Sequence, residues 1–251
     1  MPTFVVGDVH GYVEPLVQLL RAAGLVDKRI AWSGADARVW FIGDLVDRGP
    51  DGIGAIDLVM RLQEEGDVRC LLGNHEAGIL AAHRHWAVEC SVPGVTFGMV
   101  WQANGGVASD LARLRPEHLT WIEGLPAVAR EGDWLLVHSD TDGYLRFGSD
   151  VATINDTVSA TLRTGDPEGL DVLLETLADR GAFADPERLR ALLSSLDAER
   201  VVHGHTPIWY ARGTSPSSVT EAFRYAGGQA LNVDHALFAG GPGFVTELPA
   251  S

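Results

Sequence analysis

Five places in the sequence join a short apolar run to residues that bind metals or move protons. "FVVGDVHG" ends in Asp8 and His10. "VWFIGDLVDRGP" supplies Asp44, Asp47 and Arg48, and "VRCLLGNHEAG" supplies Asn74, His75 and Glu76. "WLLVHSD" ends on His138, and "RVVHGHTP" carries His203 and His205. Asp or Asn after a strand is an ordinary helix cap, but a cap has no use for the imidazoles found at four of the five places. Oxygen and imidazole donors gathered from separate strand ends are what a divalent metal site needs. The set is larger than the roughly four to six ligands that satisfy one ion. Two ions about 3.5–4 Å apart, sharing a carboxylate, use it economically. Such a pair acidifies a water molecule and neutralises phosphoryl oxygens as charge moves to a leaving group. Asn74, a neutral oxygen ligand, keeps such a site positive enough for an anionic substrate.

Other chemistries fail on spacing or charge. A cysteine phosphatase holds its thiolate under an arginine six positions on; here Glu76 follows Cys70 and Thr96 follows Cys90 at that distance. Cys70, His83, His85 and Cys90 lack the spacing of a zinc finger, and Cys70, in the apolar "VRCLL", reads as a small core residue. "VHSD" suggests a nucleophile triad, but neighbours on an extended strand face opposite ways, so His138 and Ser139 do not engage. A net charge of −15 argues against gripping a nucleic acid backbone by charge alone. No apolar run approaches the roughly 18 residues of a membrane span. The start "MPTFVVGDVHG" has no basic leader pattern, and two cysteines make no disulfide framework. The expectation is a cytoplasmic protein with neither nucleic acid nor membrane as partner; the sequence sets no oligomeric state.

The elements that must position these residues follow from the hydrophobic pattern. Strand "TFVV" precedes a helix from Val13 to Ala23, "ARVWFI" precedes a helix from Gly52 to Glu65, and "DVRCLL" precedes a helix starting near His75. This β-α-β-α-β-α order predicts a layered sheet flanked by helices, with the reactive residues at the carboxyl ends of strands, where open α/β sheets bind ligands. Glu131-Gly132-Asp133 turns a hairpin. From Asp150 to about Ala198 the pattern is helical, and "GDPEG" and "ADPER" each put an Asp cap before a first-turn Pro. Strands return at "ERVVHG", "SSVTEAF", "GQALNVDHALFA" and "GFVTEL", with Gly227-Gly228 as a hairpin turn. The chain's 251 residues suffice for one large core, and no Pro-, Gly- or Ser-rich linker divides them. The expected organisation is a single domain over residues 1–251 with a helical insertion at about 150–198.

"GDVHG", "GDLVDRG" and "GNHE", followed by a lone His and "GHT", resemble the phosphoprotein phosphatase (PPP) family of calcineurin-like metallophosphoesterases, in its bacterial serine/threonine form. The motifs keep that family's order from Gly7 to Thr206. The resemblance implies an α/β fold: a four-layer α-β-β-α metallophosphoesterase sandwich with two mixed sheets. It also implies a dinuclear centre of two divalent ions, Mn²⁺ in vitro, with Fe or Zn²⁺ as alternatives. Carried over residue by residue, Asp8 and His10 hold the first metal, Asp44 bridges, and Asn74, His138 and His205 hold the second. His75 becomes the general acid, Asp47 orients it, and Arg48 clamps phosphate oxygens with its planar fork. The family places a second arginine clamp between the fourth-strand His and "GH". Arg180, in "LADRGAF", is the expected one, ahead of Arg146 and Arg163. Glu76 reads as a carboxylate favoured by a helix N-terminus, and His203 as support for His205 or a plain strand residue. His83, His85, His118 and His235 read as ordinary.

Two departures stand out: Ser139 where many relatives carry Gly or Ala, and His235 where a small or hydroxyl residue is usual. The function expected first is a serine/threonine-type protein phosphatase acting on a phosphorylated protein or small phosphoester. The alternative is a hydrolase of symmetric dinucleoside polyphosphates or nucleotides. A third reading, a catalytically silent phosphate-binding protein, is opposed by the intact Asp47, His75 and ligand set.

Overall fold

A computed structural model describes residues 1–249 of the chain. Its central strands, such as Trp134–Val137 and Ala230–Asn232, are buried on both faces, and the chain covers them by stacking two sheets between helices. In the first sheet β1 (Thr3–Val6), β2 (Arg38–Phe41) and β3 (Asp67–Cys70) run parallel, with Val5 opposite Trp40 and Val39 opposite Val68. In the second, β4 (Val128–Glu131), β5 (Trp134–Val137), β6 (Arg200–His203), β7 (Phe223–Tyr225) and β8 (Ala230–Asn232) lie in the order β4-β5-β6-β8-β7. Its β5, β6 and β8 are parallel, with β4 and β7 as antiparallel edges. The last strand, β9 (Thr246–Leu248), returns to the first sheet antiparallel to β1, giving the order β3-β2-β1-β9. Val5, Trp40, Ile42 and Leu71 of the first sheet pack against Leu136, Val202, Leu231 and Val233 of the second.

Helix α2 (Gly52–Glu65) packs on β3, α1 (Val13–Ala22) packs beside α2, and α3 (Asn74–His85) follows β3. Between β3 and β4 come α4 (Phe97–Ala103), α5 (Ala108–Arg113) and α6 (Pro116–Glu123). Between β5 and β6 come α7 (Val151–Thr164), α8 (Pro167–Ala178) and α9 (Pro186–Ser195), and α7 packs on β4. Asp150, Asp166 and Asp185 each accept a backbone N–H of the first turn they precede. A short α10 (Ile208–Arg212) follows β6. The result is the α-β-β-α sandwich of two mixed sheets. Among the described residues no helix is long and apolar enough to cross a membrane, and Cys70 and Cys90 are free thiols.

Three segments differ from the sequence reading. "SSVTEAF" is not a strand: Pro216–Ser218 form a 3-10 turn and pairing starts only at Phe223, since a proline just upstream favours a turn over a ladder. In "GQALNVDHALFA" the strand stops at Asn232, whose side chain accepts the Asp234 N–H and bends the chain away. The stretch from 86 to 124, left without elements by the pattern, holds α4, α5 and α6. These are 7, 6 and 8 residues long, too short for a 3.6-residue period to stand out.

Candidate active site

The carboxyl ends of β1, β2, β3, β5 and β6 all open onto one place, and the loops there are held in an uncommon backbone state. His10, Asp44, Asp47, Arg48 and His205 have φ of 48°, 56°, 66°, 61° and 63°. A left-handed conformation costs a non-glycine residue about 1–3 kcal/mol and persists only where the surroundings enforce it. Here they do. The N–H groups of Val9 and His10 both donate to Asp44 O, and Gly11 N–H donates to Leu45 O. Glu76 accepts from the N–H of Asp44, Leu45, Val46 and Gly73 at 2.8, 2.7, 3.3 and 3.0 Å. Asp8 accepts the His205 N–H at 3.1 Å. Gly43 has φ +95°, and a Cβ on it would stand 2.6 Å from Gly73 N, so the β2 and β3 loops meet only because it has none.

These constraints aim the donors inward. His10 Nδ1 donates to Val46 O at 3.0 Å, which turns Nε2 toward Asp44 Oδ2, 3.7 Å away, and Asp8 Oδ2, 4.0 Å away. His138 Nδ1 donates to Ile42 O at 2.9 Å, leaving Nε2 3.3 Å from Asp44 Oδ1 and 3.0 Å from Asn74 Oδ1. His205 Nε2 lies 3.1 Å from Ala178 O and 3.0 Å from the Arg180 guanidinium; it can donate to the first or accept from the second. Burial holds the imidazoles of His10, His75 and His205 well below the usual range, and that of His138 at about 3. They are neutral, with lone pairs to give. Burial, then the nearby Asp234, pushes the Asp8 carboxyl well up; burial, then Glu76, does the same to Asp44. Asp234 itself is buried, is pushed up to about 6 by burial, and has Oδ2 without a hydrogen-bond partner.

The site is thus rich in buried oxygen and nitrogen donors and short of positive charge. Two buried triads, His10–Asp44–His75 and Asp44–His138–His205, each bring their ligand atoms within 4.8 Å of one another and share Asp44. This donor chemistry fits divalent cations. Geometry puts His75 in the first triad, where the sequence reading has Asp8.

His75 Nδ1 lies 2.9 Å from Asp47 Oδ2, and its Nε2 is buried, unpartnered and 3.9 Å from Asp44 Oδ2. Burial pushes the Asp47 carboxyl up to about 7, opposed by the Val107 N–H and by Trp101 Nε1–H, which lies 3.0 Å from both its oxygens. Arg48 donates to His10 Nε2 at 3.0 Å and lies over the Phe238 ring. Of the three candidate second arginines, Arg180 reaches the site, just past the end of α8. Arg146 lines another groove with Asp142, Asp179 and Arg188, and Arg163 sits in the last turn of α7.

Several residues have roles that the sequence did not suggest. Glu76 is more than a helix-end carboxylate: it is fully buried and clamps the Asp44 loop. Trp101 lies in the stretch where no element was expected. Asp110 accepts the N–H groups of Asp47 and Gly52 at 3.3 and 3.1 Å. In "NVDHAL" the residue type that departs from the family pattern is His235, but it is Asp234 whose charge acts on Asp8. His235 is buried edge-on against Phe244 with neither ring nitrogen hydrogen-bonded, and burial holds it at about 4. His203 bonds Tyr225 OH and Gly204 O and stays in the strand framework. Ser139 bonds the Tyr144 hydroxyl rather than His138.

Comparison with known proteins places these observations in a family. The sequence profile described as calcineurin-like phosphoesterase matches residues 1–227. A symmetrical bis(5'-nucleosyl)-tetraphosphatase of Vibrio parahaemolyticus is 29% identical over 141 residues, which are 55% of this chain and 44% of that protein. The Pseudomonas fluorescens protein of the same name is 38% identical over 82 residues, 33% of this chain and 26% of its own length. The matches therefore span less than half of these curated relatives. The cold-active protein-tyrosine phosphatase of a psychrophilic Shewanella shares the fold, with a TM-score of 0.69 over 95% of this chain and 72% of that one, at 17% identity.

Proposed function

This chain belongs to the calcineurin-like phosphoesterase family, and from that premise we propose that it is a two-metal hydrolase of small phosphoesters. The observation that carries the proposal is Asp44, buried with one carboxylate oxygen 3.7 Å from His10 Nε2 and the other 3.3 Å from His138 Nε2. In this reading Asp8 and His10 hold one ion, Asn74, His138 and His205 the other, and Asp44 both. Two divalent ions held there would supply an acidified water and would offset the charge on the phosphoryl oxygens. Arg48 and Arg180, one against each half of the ligand set, grip the outer phosphate oxygens and fix the phosphorus in line for attack. His75 gives its Nε2 proton to the departing oxygen, while Nδ1 and Asp47 share a second proton that keeps the ring in place. The same proposal takes residues 1–251 as one such domain, with 150–198 as its helical insertion, in the cytoplasm.

For the substrate, the names of the curated relatives favour dinucleoside polyphosphates over the phosphoprotein placed first by the motifs "GDLVDRG" and "GNHE". The test is a panel of diadenosine tetraphosphate, a phosphoserine peptide and nitrophenyl phosphate, assayed with Mn²⁺. Cleavage of the tetraphosphate to ADP is expected. Phosphate release from the peptide with the tetraphosphate intact would restore the protein phosphatase, and a panel without turnover would remove the enzyme.

A further inference from the structure

Beside His75 a cavity of about 220 Å³ opens between α3, α4 and α8. Gly78, Phe97, Val100, Trp101 and Leu174 make it mainly apolar, and His75 and Asn74 form its inner wall. An apolar cavity of about 150 Å³ is enough to bind benzene, so this one has room for a ring system. Its charged edge is acidic. Asp171 accepts the Ser91 N–H at 2.8 Å and Glu175 accepts the Ser91 hydroxyl at 3.4 Å. These bonds tie the loop between the bridged residues Glu89 and Thr96 to α8 at the cavity's edge. Among the described residues no lysine or arginine lines it. A phosphate there would face the carboxyls of Asp47, Asp171 and Glu175 with no cation, whereas Arg48 and Arg180 stand beside the imidazoles of the proposed ligand sets. Phosphate and cavity are thus complementary in charge to different parts of a substrate.

We propose that this cavity is the leaving-group subsite and takes an uncharged aromatic ring, with an N–H or O–H edge of that ring toward Asp171 and Glu175. The inference rests on His75 as proton donor, because a group seated against its ring hangs from the oxygen that receives the Nε2 proton. Trp101 joins the two functions: the indole that lines the cavity also donates to both oxygens of Asp47, which holds His75. Two sources offer such a ring, the base of a nucleotide and the phenol of an aryl ester.

Gly78 gives the test. It is helical, and a Cβ on it would meet nothing nearer than Trp101 Cδ1 at 3.7 Å, so Gly78→Leu extends into the cavity rather than into a neighbour. The first measurement is kcat/KM, with Mn²⁺, for phenyl phosphate and ethyl phosphate. The second is calorimetric binding of adenosine and of N-acetyltyrosinamide to the metal-free protein. The phenyl-to-ethyl ratio should fall at least tenfold in Gly78→Leu, mainly through KM, and the binding seen with the natural sequence should disappear. Preference for adenosine identifies a nucleobase, and preference for the tyrosine amide an aryl ester; either supports the subsite. An unchanged ratio at a preserved melting temperature, or neither probe binding the natural sequence, overturns it. If Gly78→Leu fails to fold, Val100→Phe on the facing helix is read by the same criteria. Binding uses no metal, so its absence from the natural sequence counts against the subsite alone, while absent hydrolysis with binding intact counts against the proposed function alone.

Discussion

Asp47 accepts the Trp101 indole N–H and shares a proton with His75 Nδ1, in a place with no exposure to water. Its proton, shared with Nδ1, leaves His75 one freely directed nitrogen, Nε2. If that nitrogen is the acid, His75→Asn lowers kcat by about 10²–10⁴. The loss is larger on alkyl phosphates than on nitrophenyl phosphate, since a poor leaving group needs the proton more. Metal analysis should still find two ions per chain. Emptying of the site by His75→Asn would instead make the residue a ligand, as its place in one of the two donor triads allows.

At the scale of elements, the site is built from strand-to-helix loops that would not hold their shape alone. Glu76, in the first turn of α3, reaches back about thirty residues to take three consecutive N–H groups of the β2 loop. Removing that carboxylate leaves buried donors unpaired, at about 1–3 kcal/mol each. Glu76→Ala should therefore cost about 3 kcal/mol or more in metal-free urea unfolding and weaken Mn²⁺ binding, because Asp44 rides on this loop. Glu76→Gln, which keeps one acceptor oxygen, should lose less on both counts. An Ala variant with an unchanged unfolding midpoint and unchanged metal affinity would show that the loop is held by its own backbone contacts.

Over the whole molecule the net charge is −15, and the buried carboxylates of Asp8, Asp44 and Asp234 interact with one another at the proposed centre. Ions that bind only the folded chain stabilise it by about 2.7 kcal/mol at a hundred times Kd, or about 5–10 °C in Tm at this size. The carboxyls of Asp8 and Asp44 have pKa values raised by burial, so they take up protons as pH falls through those raised values, and an ion must then displace the protons. His138, held at about 3, does not compete in this range. The Mn²⁺-induced rise in Tm should therefore shrink as the pH is lowered; a rise that stays the same from pH 7.5 to pH 5 would count against these carboxylates as ligands. The sequence by itself determined the strand-end motifs, the order of the first six elements and the residues gathered at the site, because spacing within a loop and hydrophobic period along a strand are local properties. It put Arg180 ahead of Arg146 and Arg163 as the second clamp but left open its contact with His205, what Glu76 holds, that Trp101 braces Asp47, and that α3, α4 and α8 enclose a cavity. Those were decided by the tertiary structure alone: the partners lie 25, about 30 and 54 residues apart, and packing between distant segments leaves no periodic trace in either one.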